Sequence, residues 1–224
     1  GPGGYVAALE AAALGKKVAV AEHREVGGTC LNRGCIPTKA LLRAARTYHE
    51  ATHGEDLGIT VSDASCDMAA MYRRVGEVTS GLKEGIEGLL DRGGVKLLTG
   101  FARVEGEGVV SVNGETHTAD HILLAVGSAP ARPPIPGLDL PGVISSDELL
   151  AGEGADARRL VIIGGGVVGV EFAQIFSDLG REVTILEALP RILANLDREF
   201  SQSLSMVLKK RGVAVHTGAM VSAI

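Results

Sequence analysis

The clearest hydrophobic pattern along the chain is a short apolar run that leads into a glycine-rich turn. Leu160–Ile163 is a run of four apolar residues, and glycines follow it at once. Apolar residues then recur at helical spacing up to Gly180, and a second apolar run ends at Glu187. This order predicts a strand, a tight turn, an amphipathic helix that ends at Gly180, and a second strand.

The first residues of the chain repeat this pattern. Residues 1–22 align with residues 166–187 without a gap, an offset of 165. The identical pairs are Gly1/Gly166, Gly4/Gly169, Ala8/Ala173, Leu14/Leu179, Gly15/Gly180, Val18/Val183 and Glu22/Glu187. Such a match is hard to obtain by chance, so we expect two copies of one strand–turn–helix–strand unit. A unit of this kind places a pyrophosphate on a helix N-terminus and a carboxylate on a ribose.

The second copy is complete. Gly164-x-Gly166-x-x-Gly169 lies between the predicted strand and the predicted helix, and Glu187 follows 18 residues after the last glycine. The glycine spacing alone is a weak signal, but in this context it predicts a dinucleotide site. A glycine-rich helix start without a ligand is the alternative.

The first copy lacks its beginning. Gly1 and Gly4 match the second and third glycines of the fingerprint, whereas no strand and no first glycine precede them. We therefore expect the sequence to be a piece of a longer chain that is interrupted inside a dinucleotide site.

Periodicity and turn residues predict the remaining elements. We expect helices over Ala40–Glu50 and over Asp67–Arg92 (one or two), a strand over Val95–Val104, a hairpin over Val109–Asp120 and a proline-rich linker over Ala129–Gly142. In the second helical segment, apolar residues at helical spacing predict a core-facing stripe: Met68, Met71, Val75, Val78, Leu82, Ile86 and Leu89.

Composition excludes several classes of function. Among the 224 residues, 22 Lys and Arg face 27 Asp and Glu, and no basic stripe covers a face large enough for nucleic acid. The apolar run Leu160–Val170 is too short to span a bilayer, so we expect no membrane contact. Three cysteines are too few for a secreted disulfide scaffold. A reducing compartment is expected, in which a close cysteine pair tends to carry chemistry.

Two of these cysteines, Cys30 and Cys35, stand just before the helix predicted over Ala40–Glu50. A thiol near a helix N-terminus is favoured as the thiolate, and Arg33 and Lys39 add positive charge. A thiolate with a second sulfur close by suits a reversible dithiol/disulfide couple. Zinc, which needs four ligands at close spacing, and an inert pair of buried thiols are the alternatives. Cys66 stands alone and is expected to be a small buried hydrophobic residue.

Four segments, in this order, resemble the flavin-dependent pyridine nucleotide–disulfide oxidoreductases: GPGGYVAA, GGTCLNRGCIPTKALL, LLAVGSAPARPPIPG and VIIGGGVVGVEFA. Leu31 and Ile36 favour the lipoamide branch over the glutathione and mercuric branches. The resemblance implies an α/β fold with two Rossmann-like dinucleotide-binding units, the first truncated at its N-terminus. It implies an FAD-binding domain over residues 1–142 and an NAD-binding domain over residues 143–224, with the C-terminal interface domain absent.

The resemblance also implies roles for individual residues. Cys30 becomes the interchange thiol that meets the substrate, and Cys35 becomes the charge-transfer thiol against the flavin. The residues assigned to FAD are Gly1, Gly4, Glu22, Thr29, Lys39, Gly100 and Gly127. The residues assigned to NAD are Gly164, Gly166, Gly169, Glu171, Glu187 and Val221. Glu171 is expected to pair with Lys39. Because the Glu187 carboxylate repels a 2′-phosphate, NAD is favoured over NADP.

The activity implied by the resemblance is the oxidation of protein-bound dihydrolipoamide by NAD⁺, with electrons passing through the cysteine pair and FAD. The implied partners are a lipoyl domain of a 2-oxo acid dehydrogenase complex or glycine cleavage system and a second copy of the chain. The implied location is the cytoplasm, or the mitochondrial matrix in a eukaryote. The family's His–Glu base has no match among the six histidines, so we expect negligible turnover from this chain alone. The alternatives are a non-catalytic NAD-binding remnant and a sibling reductase of the glutathione or mercuric type.

Overall fold

The computed structural model describes residues 1–224 as seven α-helices, one 3₁₀ turn and eight strands. The helices are α1 Pro2–Ala13, α2 Gly28–Arg33, α3 Cys35–Thr52, α4 Met68–Arg92, α5 Ser146–Leu150, α6 Val167–Asp178 and α7 Arg198–Lys210, and the 3₁₀ turn is Glu55–Leu57. The strands are β1 Ala19–Glu22, β2 Lys96–Thr99, β3 Ala102–Gly106, β4 Val109–Val112, β5 Glu115–Thr118, β6 Arg159–Ile163, β7 Glu182–Glu187 and β8 Ala214–Thr217. None of the helices combines the length and apolar character needed to cross a membrane.

The residues form two compact units. The first comprises Gly1–Pro37 and Gly76–Ala129, and the second comprises Thr38–Val75 and Pro130–Ile224. Each unit contains a parallel sheet and a helix that starts at a glycine, so the predicted α/β fold with two Rossmann-like units is confirmed.

In the first unit, α1 begins after Gly1 and is followed by β1, which pairs in parallel with β2. The core of this unit is small and lies between α1, the end of α4 and the sheet. Its buried apolar residues are Ala8, Val26, Leu31, Ile86, Leu90 and Val95. The helix ends before Gly15, as predicted, and the strand ends at Glu22, so the acid stands at the carboxyl edge of the sheet.

The predicted hairpin is confirmed. Strands β4 and β5 pair in antiparallel register, with Val112 opposite Glu115. Asn113 and Gly114, with φ of 50° and 86°, supply the two left-handed residues of a type I′ turn. Strand β3 adds to the other edge of β4 and completes a three-stranded sheet.

The single strand predicted over Val95–Val104 is wrong. The segment forms two strands in different sheets, and Gly100 lies between them at φ 154°. The Asn113 amide donates to the Thr99 carbonyl at 3.0 Å, and a Cβ on Gly100 would lie 2.2 Å from Asn113 Nδ2. The hairpin turn therefore packs directly onto Gly100, where the chain leaves one sheet for the other.

In the second unit, β6, β7 and β8 form a parallel sheet in that order, with α6 connecting β6 to β7. The predicted strand over Leu160–Ile163, the helix that ends before Gly180 and the strand that ends at Glu187 are confirmed. A core larger than that of the first unit packs α6 against the sheet and against α3. Its fully buried side chains include Leu41, Ala45, Ala173, Ile175, Phe176, Val183, Ile185, Ile192 and Leu208.

The segment predicted as one or two helices forms one helix, α4, over Met68–Arg92, but the predicted core stripe is only partly right. Met68, Val75 and Ile86 are buried, whereas Leu82 and Leu89 are each 45% exposed. A strict seven-residue spacing drifts by about 20° per heptad on a straight α-helix, so Leu82 and Leu89 turn away from the buried face of α4. Leu90, at 1% exposure, takes the buried place at the end of the helix.

A second internal repeat extends the similarity of the two units beyond the first repeat. At an offset of 118, the aligned identical pairs are Leu90/Leu208, Gly94/Gly212, Val95/Val213, Thr99/Thr217 and Gly100/Gly218. The valine N–H donates to the leucine carbonyl in both copies, at 2.9 and 3.0 Å. Both segments lead from a helix into a strand that pairs with the acid-bearing strand, with Glu22 opposite Thr99 and Glu187 opposite Thr217.

Candidate functional site

The three glycines of the second unit have distinct environments at the turn between β6 and α6. Gly164 follows the strand in a left-handed conformation, with φ of 109°. Gly166 caps α6, and a Cβ at this position would meet nothing within 4 Å. A Cβ on Gly169 would lie 2.2 Å from the Gly164 carbonyl oxygen. The turn therefore has an open side at Gly166 and a close helix–strand contact at Gly169, the arrangement that a pyrophosphate-binding turn requires.

Glu187 lies at the carboxyl end of β7, beside this turn. Its Oε2 accepts from the Gly165 N–H at 2.6 Å, and its Oε1 accepts from the Leu189 N–H at 2.7 Å. Each carboxylate oxygen keeps acceptor capacity beyond these bonds. The carboxylate is therefore held in place and can still accept hydrogen bonds from hydroxyl groups.

A cleft of about 360 Å³ opens along the carboxyl ends of the three parallel strands. Its lining includes Gly164, Glu187 and Val221, three of the residues predicted for NAD, together with Ile135 and Met220. Open parallel sheets bind ligands at this edge. Apolar walls, one carboxylate and an open glycine turn fit the adenosine and pyrophosphate parts of a dinucleotide.

The corresponding positions of the first unit have a similar local arrangement. The Glu22 Oε1 accepts from the Arg24 N–H at 3.0 Å. The Glu187 Oε1 accepts in the same way from the N–H of Leu189, two residues later in the chain. The backbone nitrogen of Gly1 lies 3.8 Å from Glu22 Oε2. A Cβ on Gly28 would lie 2.4 Å from the Gly1 Cα, so only a glycine permits this approach. The backbone cradle and the carboxylate fit the nucleotide part of a second dinucleotide.

The other residues predicted for FAD stand in different elements. A Cβ on Gly4 would lie 3.4 Å from Ala125 Cβ, which brings the segment carrying Gly127 against α1. Gly100 follows β2, and its N–H donates to the Glu22 carbonyl at 2.9 Å. Thr29 is the second residue of α2. Lys39 belongs to the other compact unit.

The two cysteines of the predicted redox pair lie at two successive helices. Cys30 is on the short helix α2 and is partly buried, and Cys35 is the first residue of α3 and is exposed. A Cβ on Gly34 would lie 3.3 Å from the Cys30 Cα. The residue just before Cys35 therefore packs directly on Cys30, which brings the two cysteines to neighbouring positions.

Charged and polar contacts hold this loop. The Asn32 side-chain amide donates to the carbonyls of Val26 and Gly28, both at 3.0 Å, and Arg33 forms an ion pair with Glu25. No group of three or more His, Cys, Asp and Glu side chains in residues 1–224 is arranged to hold a metal ion. The neighbouring positions of Cys30 and Cys35 suit thiol–disulfide exchange, with the more exposed cysteine at the start of a helix.

The predicted pairing of Lys39 with Glu171 is confirmed. Lys39 Nζ donates to Glu171 Oε1 at 2.6 Å. Lys39 lies one turn after Cys35 on α3, and Glu171 lies two residues after Gly169 on α6. The pair thus joins the helix that starts at a cysteine to the helix that starts at the glycine turn.

A sequence model described as "Pyridine nucleotide-disulphide oxidoreductase" matches residues 1–224, the whole of the chain. The chain belongs to the pyridine nucleotide–disulphide oxidoreductase family. The family combines flavin with nicotinamide chemistry at a disulfide, which agrees with the cysteine pair and with the two helices that start at glycines.

Two curated relatives carry the name dihydrolipoyl dehydrogenase. Proteins named dihydrolipoyl dehydrogenase are 44% identical in Thermus scotoductus, over 97% of this chain, and 41% identical in Chlamydia pneumoniae, over all of it. The matched regions are 47% and 49% of those relatives, so the chain spans about half the length of the curated relatives it matches. The solved structure of the HOCl-induced flavoprotein disulfide reductase RclA from Escherichia coli is similar over the whole chain and 48% of its own, with a TM-score of 0.85 and 31% identity.

Two residues of this family member were not predicted from its sequence. Asn32 stands between the redox cysteines and ties the Val26–Gly28 turn to α2. Gly28 allows that turn to touch Gly1. The doubled glycine at positions 27 and 28 was the available signal, because consecutive left-handed residues require glycine.

Proposed function

We propose that this chain is part of an NAD-dependent dihydrolipoyl dehydrogenase, which oxidises protein-bound dihydrolipoamide with NAD⁺. The observation that carries the proposal is the placement of Cys30 and Cys35 at two successive helices, with Gly34 packed on Cys30. Relatives that share 38–44% identity and the name dihydrolipoyl dehydrogenase support the choice of substrate.

The thiol step is assigned to the two cysteines. With the pair oxidised, a dihydrolipoamide thiolate attacks the Cys30 sulfur, forms a mixed disulfide and breaks the Cys30–Cys35 bond. The second substrate thiol, after it loses its proton to a base, then displaces Cys30. The substrate leaves as the cyclic disulfide, and two electrons remain on the Cys30 and Cys35 thiols. Cys30 takes the substrate-facing role, and Cys35 at the start of α3 takes the leaving-group role, where the helix N-terminus stabilises a thiolate.

Two cofactors complete the proposal. Residues 1–142 form the flavin-binding region, in which Gly1, Gly4 and Glu22 hold the nucleotide, with contributions from Thr29, Lys39, Gly100 and Gly127. FAD, when bound, supplies the two-electron carrier between the thiol pair and the nicotinamide. The fit is supported by the Gly1–Gly28 contact and by the fixed Glu22 carboxylate.

Residues 143–224 form the nicotinamide-nucleotide region. Gly164, Gly166 and Gly169 receive the pyrophosphate at the start of α6. Glu187 accepts from the ribose hydroxyls and excludes a 2′-phosphate by charge, and Val221 flanks the adenine. Glu171, neutralised by Lys39, faces the nicotinamide. The cleft lined by Gly164, Glu187 and Val221 supports this assignment.

The partners follow from the substrate. Dihydrolipoamide is carried by a lipoyl domain, so we propose a 2-oxo acid dehydrogenase complex or a glycine cleavage system as the partner. The intact protein is proposed to be a homodimer located in the cytoplasm, or in the mitochondrial matrix in a eukaryote.

A second candidate function is the reduction of a different disulfide. The similarity to RclA, a flavoprotein disulfide reductase, favours this reading of the same cysteine pair. Both functions use Cys30 and Cys35, and they differ in the disulfide that meets Cys30. Dihydrolipoamide must reduce the Cys30–Cys35 disulfide of this chain rapidly in the first case, and markedly faster than glutathione does.

Visible absorption of the purified chain tests the proposal. After addition of FAD, the expected result is a bound flavin band that gains a long-wavelength shoulder when dithiothreitol reduces the cysteines, because the Cys35 thiolate then lies against the flavin. The Cys35→Ser variant is expected to bind flavin without the shoulder. A chain that binds no flavin but still binds NAD would contradict the assignment of residues 1–142 to flavin binding and favour the non-catalytic NAD-binding remnant.

A further inference from the structure

Three sulfur atoms meet at the start of α4, in the second compact unit. Cys66 Sγ lies 3.1 Å from Met71 Sδ and 3.8 Å from Met68 Sδ. The proposed oxidoreductase function uses none of these residues. The thiol has one proton and two thioether acceptors around it, so it cannot donate to both at once.

The helix start holds two of these sulfurs together. Asp67 caps α4, since its Oδ1 accepts from the Ala70 N–H at 2.9 Å. With Asp67 as the cap, Cys66 and Met71 occupy the two positions that pack against each other in a hydrophobic staple. A staple needs only apolar side chains, but here both of its members carry sulfur, and Met68 adds a third.

The surroundings of the three sulfurs are largely apolar, with Arg181 and Asp67 as the charged groups near the thiol. Met68 is buried, at 6% exposure, and Cys66 and Met71 are half-buried against the core of the unit. A bound ligand that left a net charge among these side chains would raise the free energy of the site. A monovalent cation bound to a thiolate forms a neutral unit and avoids this penalty.

We propose that Cys66, Met68 and Met71 bind one Cu(I) ion. Thiolate and thioether sulfurs are the soft ligands that select Cu(I) over Mg²⁺, Ca²⁺ and Mn²⁺. Binding forms a metal–thiolate bond, and the Cys66 proton is released to solvent. With metal–sulfur bonds of about 2.3 Å, two sulfurs on one metal lie at most about 4.6 Å apart, a span that includes both measured distances. The site does not depend on the proposed function.

Anaerobic titration of the full chain with Cu(I), in competition with bicinchoninate, tests the site. The redox cysteines would compete, so the parent for the test is the Cys30→Ser/Cys35→Ser variant, which retains Cys66 as its one thiol. We expect one Cu(I) per chain, and no binding after Cys66→Ala. Met68→Leu and Met71→Leu, which nearly conserve volume, are each expected to weaken binding about tenfold or more.

The chain offers a matched control. Its two other methionines, Met206 and Met220, are 60% and 79% exposed, and replacing both with Leu is expected to leave the affinity unchanged. X-ray absorption of the Cu(I)-loaded Cys30→Ser/Cys35→Ser variant is expected to show three sulfur neighbours of the metal. This measurement needs no substitution of Cys66, Met68 or Met71. Absence of binding, one sulfur neighbour, or equal affinity in all the methionine variants would overturn the proposal and leave the cluster as a hydrophobic staple.

Discussion

Lys39 and Glu171 are 132 residues apart in the chain, and their side chains meet at 2.6 Å. The pair links α3, which begins at Cys35, with α6, which begins at the glycine turn. Lys39 is 57% exposed and Glu171 is 23% exposed, so water screens much of the attraction. Exposed ion pairs contribute little to stability. The position of this pair therefore fits a role in the proposed chemistry better than a role in folding.

The stability contribution of this pair can be measured by a double-mutant cycle. For Lys39→Met, Glu171→Gln and the double variant, we expect a coupling free energy of at most about 1 kcal/mol from urea unfolding. The pair Arg46–Glu50 on α3, also exposed, is a matched control. A coupling above about 2 kcal/mol would identify the pair as structural.

Substitution by alanine is expected to affect stability at Gly169 and NAD binding at Gly166. In Gly169→Ala the new Cβ meets the Gly164 carbonyl oxygen at 2.2 Å, so we expect a loss of about 1–3 kcal/mol in the free energy of unfolding. In Gly166→Ala the Cβ meets nothing within 4 Å, and the change is expected to stay within about 0.5 kcal/mol. The Gly166 variant should instead bind NAD more weakly, because its Cβ enters the space assigned to the pyrophosphate.

Urea unfolding and calorimetric titration with NAD separate the two effects. Equal stability of both variants would show that the α6–β6 contact at Gly169 relaxes without a loss in the free energy of unfolding. Normal NAD binding by Gly166→Ala would place the pyrophosphate elsewhere.

The helices, strands and turns of the two glycine-containing units could be predicted because their signals lie within a few residues of each element. Glycine turns, a helix-ending glycine and a terminal acid recur in both copies, so each strand–turn–helix–strand unit could be predicted with Glu22 and Glu187 at the sheet edge. The Asn113–Gly114 turn is equally local.

Long-range packing is the part that the sequence did not reveal. Nothing near Gly100 indicates that the hairpin turn at Asn113 packs on it and separates two sheets. The prediction of a buried stripe along all of α4 was partly wrong because a seven-residue spacing stays on one helix face only over a limited length. The contact of Lys39 with Glu171 was expected only from the family resemblance, since spacing along the chain cannot bring residues of α3 and α6 together.

Glu187 is the residue predicted to select NAD over NADP. Glu187→Gln removes the negative charge while keeping an acceptor oxygen, so we expect NAD affinity to fall about tenfold, since hydrogen bonds to charged groups contribute about 1.5–3 kcal/mol. Affinity for NADP should fall less or rise, because the repulsion of the 2′-phosphate is lost. Calorimetric titration with both nucleotides measures the ratio.

Glu182→Gln, at the other end of the same strand, is the control for this substitution. Because Glu187 also accepts from the Gly165 and Leu189 N–H groups, urea unfolding of the variant must accompany the titration. An unchanged ratio of NAD to NADP affinity in a folded Glu187→Gln variant would remove this residue from the specificity assignment.

His49 predicts how the stability of the second unit depends on pH. Its Nδ1 lies 3.9 Å from Oδ1 of the buried Asp178, which also pairs with Arg211. Burial lowers the pKa of His49 below its ordinary value of 6.5, and this effect outweighs the attraction of Asp178. The unfolded chain therefore binds more protons than the folded chain just below that pH. The free energy of unfolding is expected to keep its full value above about pH 6.5. It is expected to fall as the pH decreases below that value.

Urea unfolding of the parent chain and of His49→Gln between about pH 5 and 7.5 measures this contribution. His49→Gln should lose part of the decrease in stability at low pH, so the difference between the two curves should change steadily below about pH 6.5 and stay constant above it. If the His49→Gln curve runs parallel to that of the parent, protonation of His49 is equally favourable in the folded and unfolded chains, and the Asp178 carboxylate compensates fully for its burial.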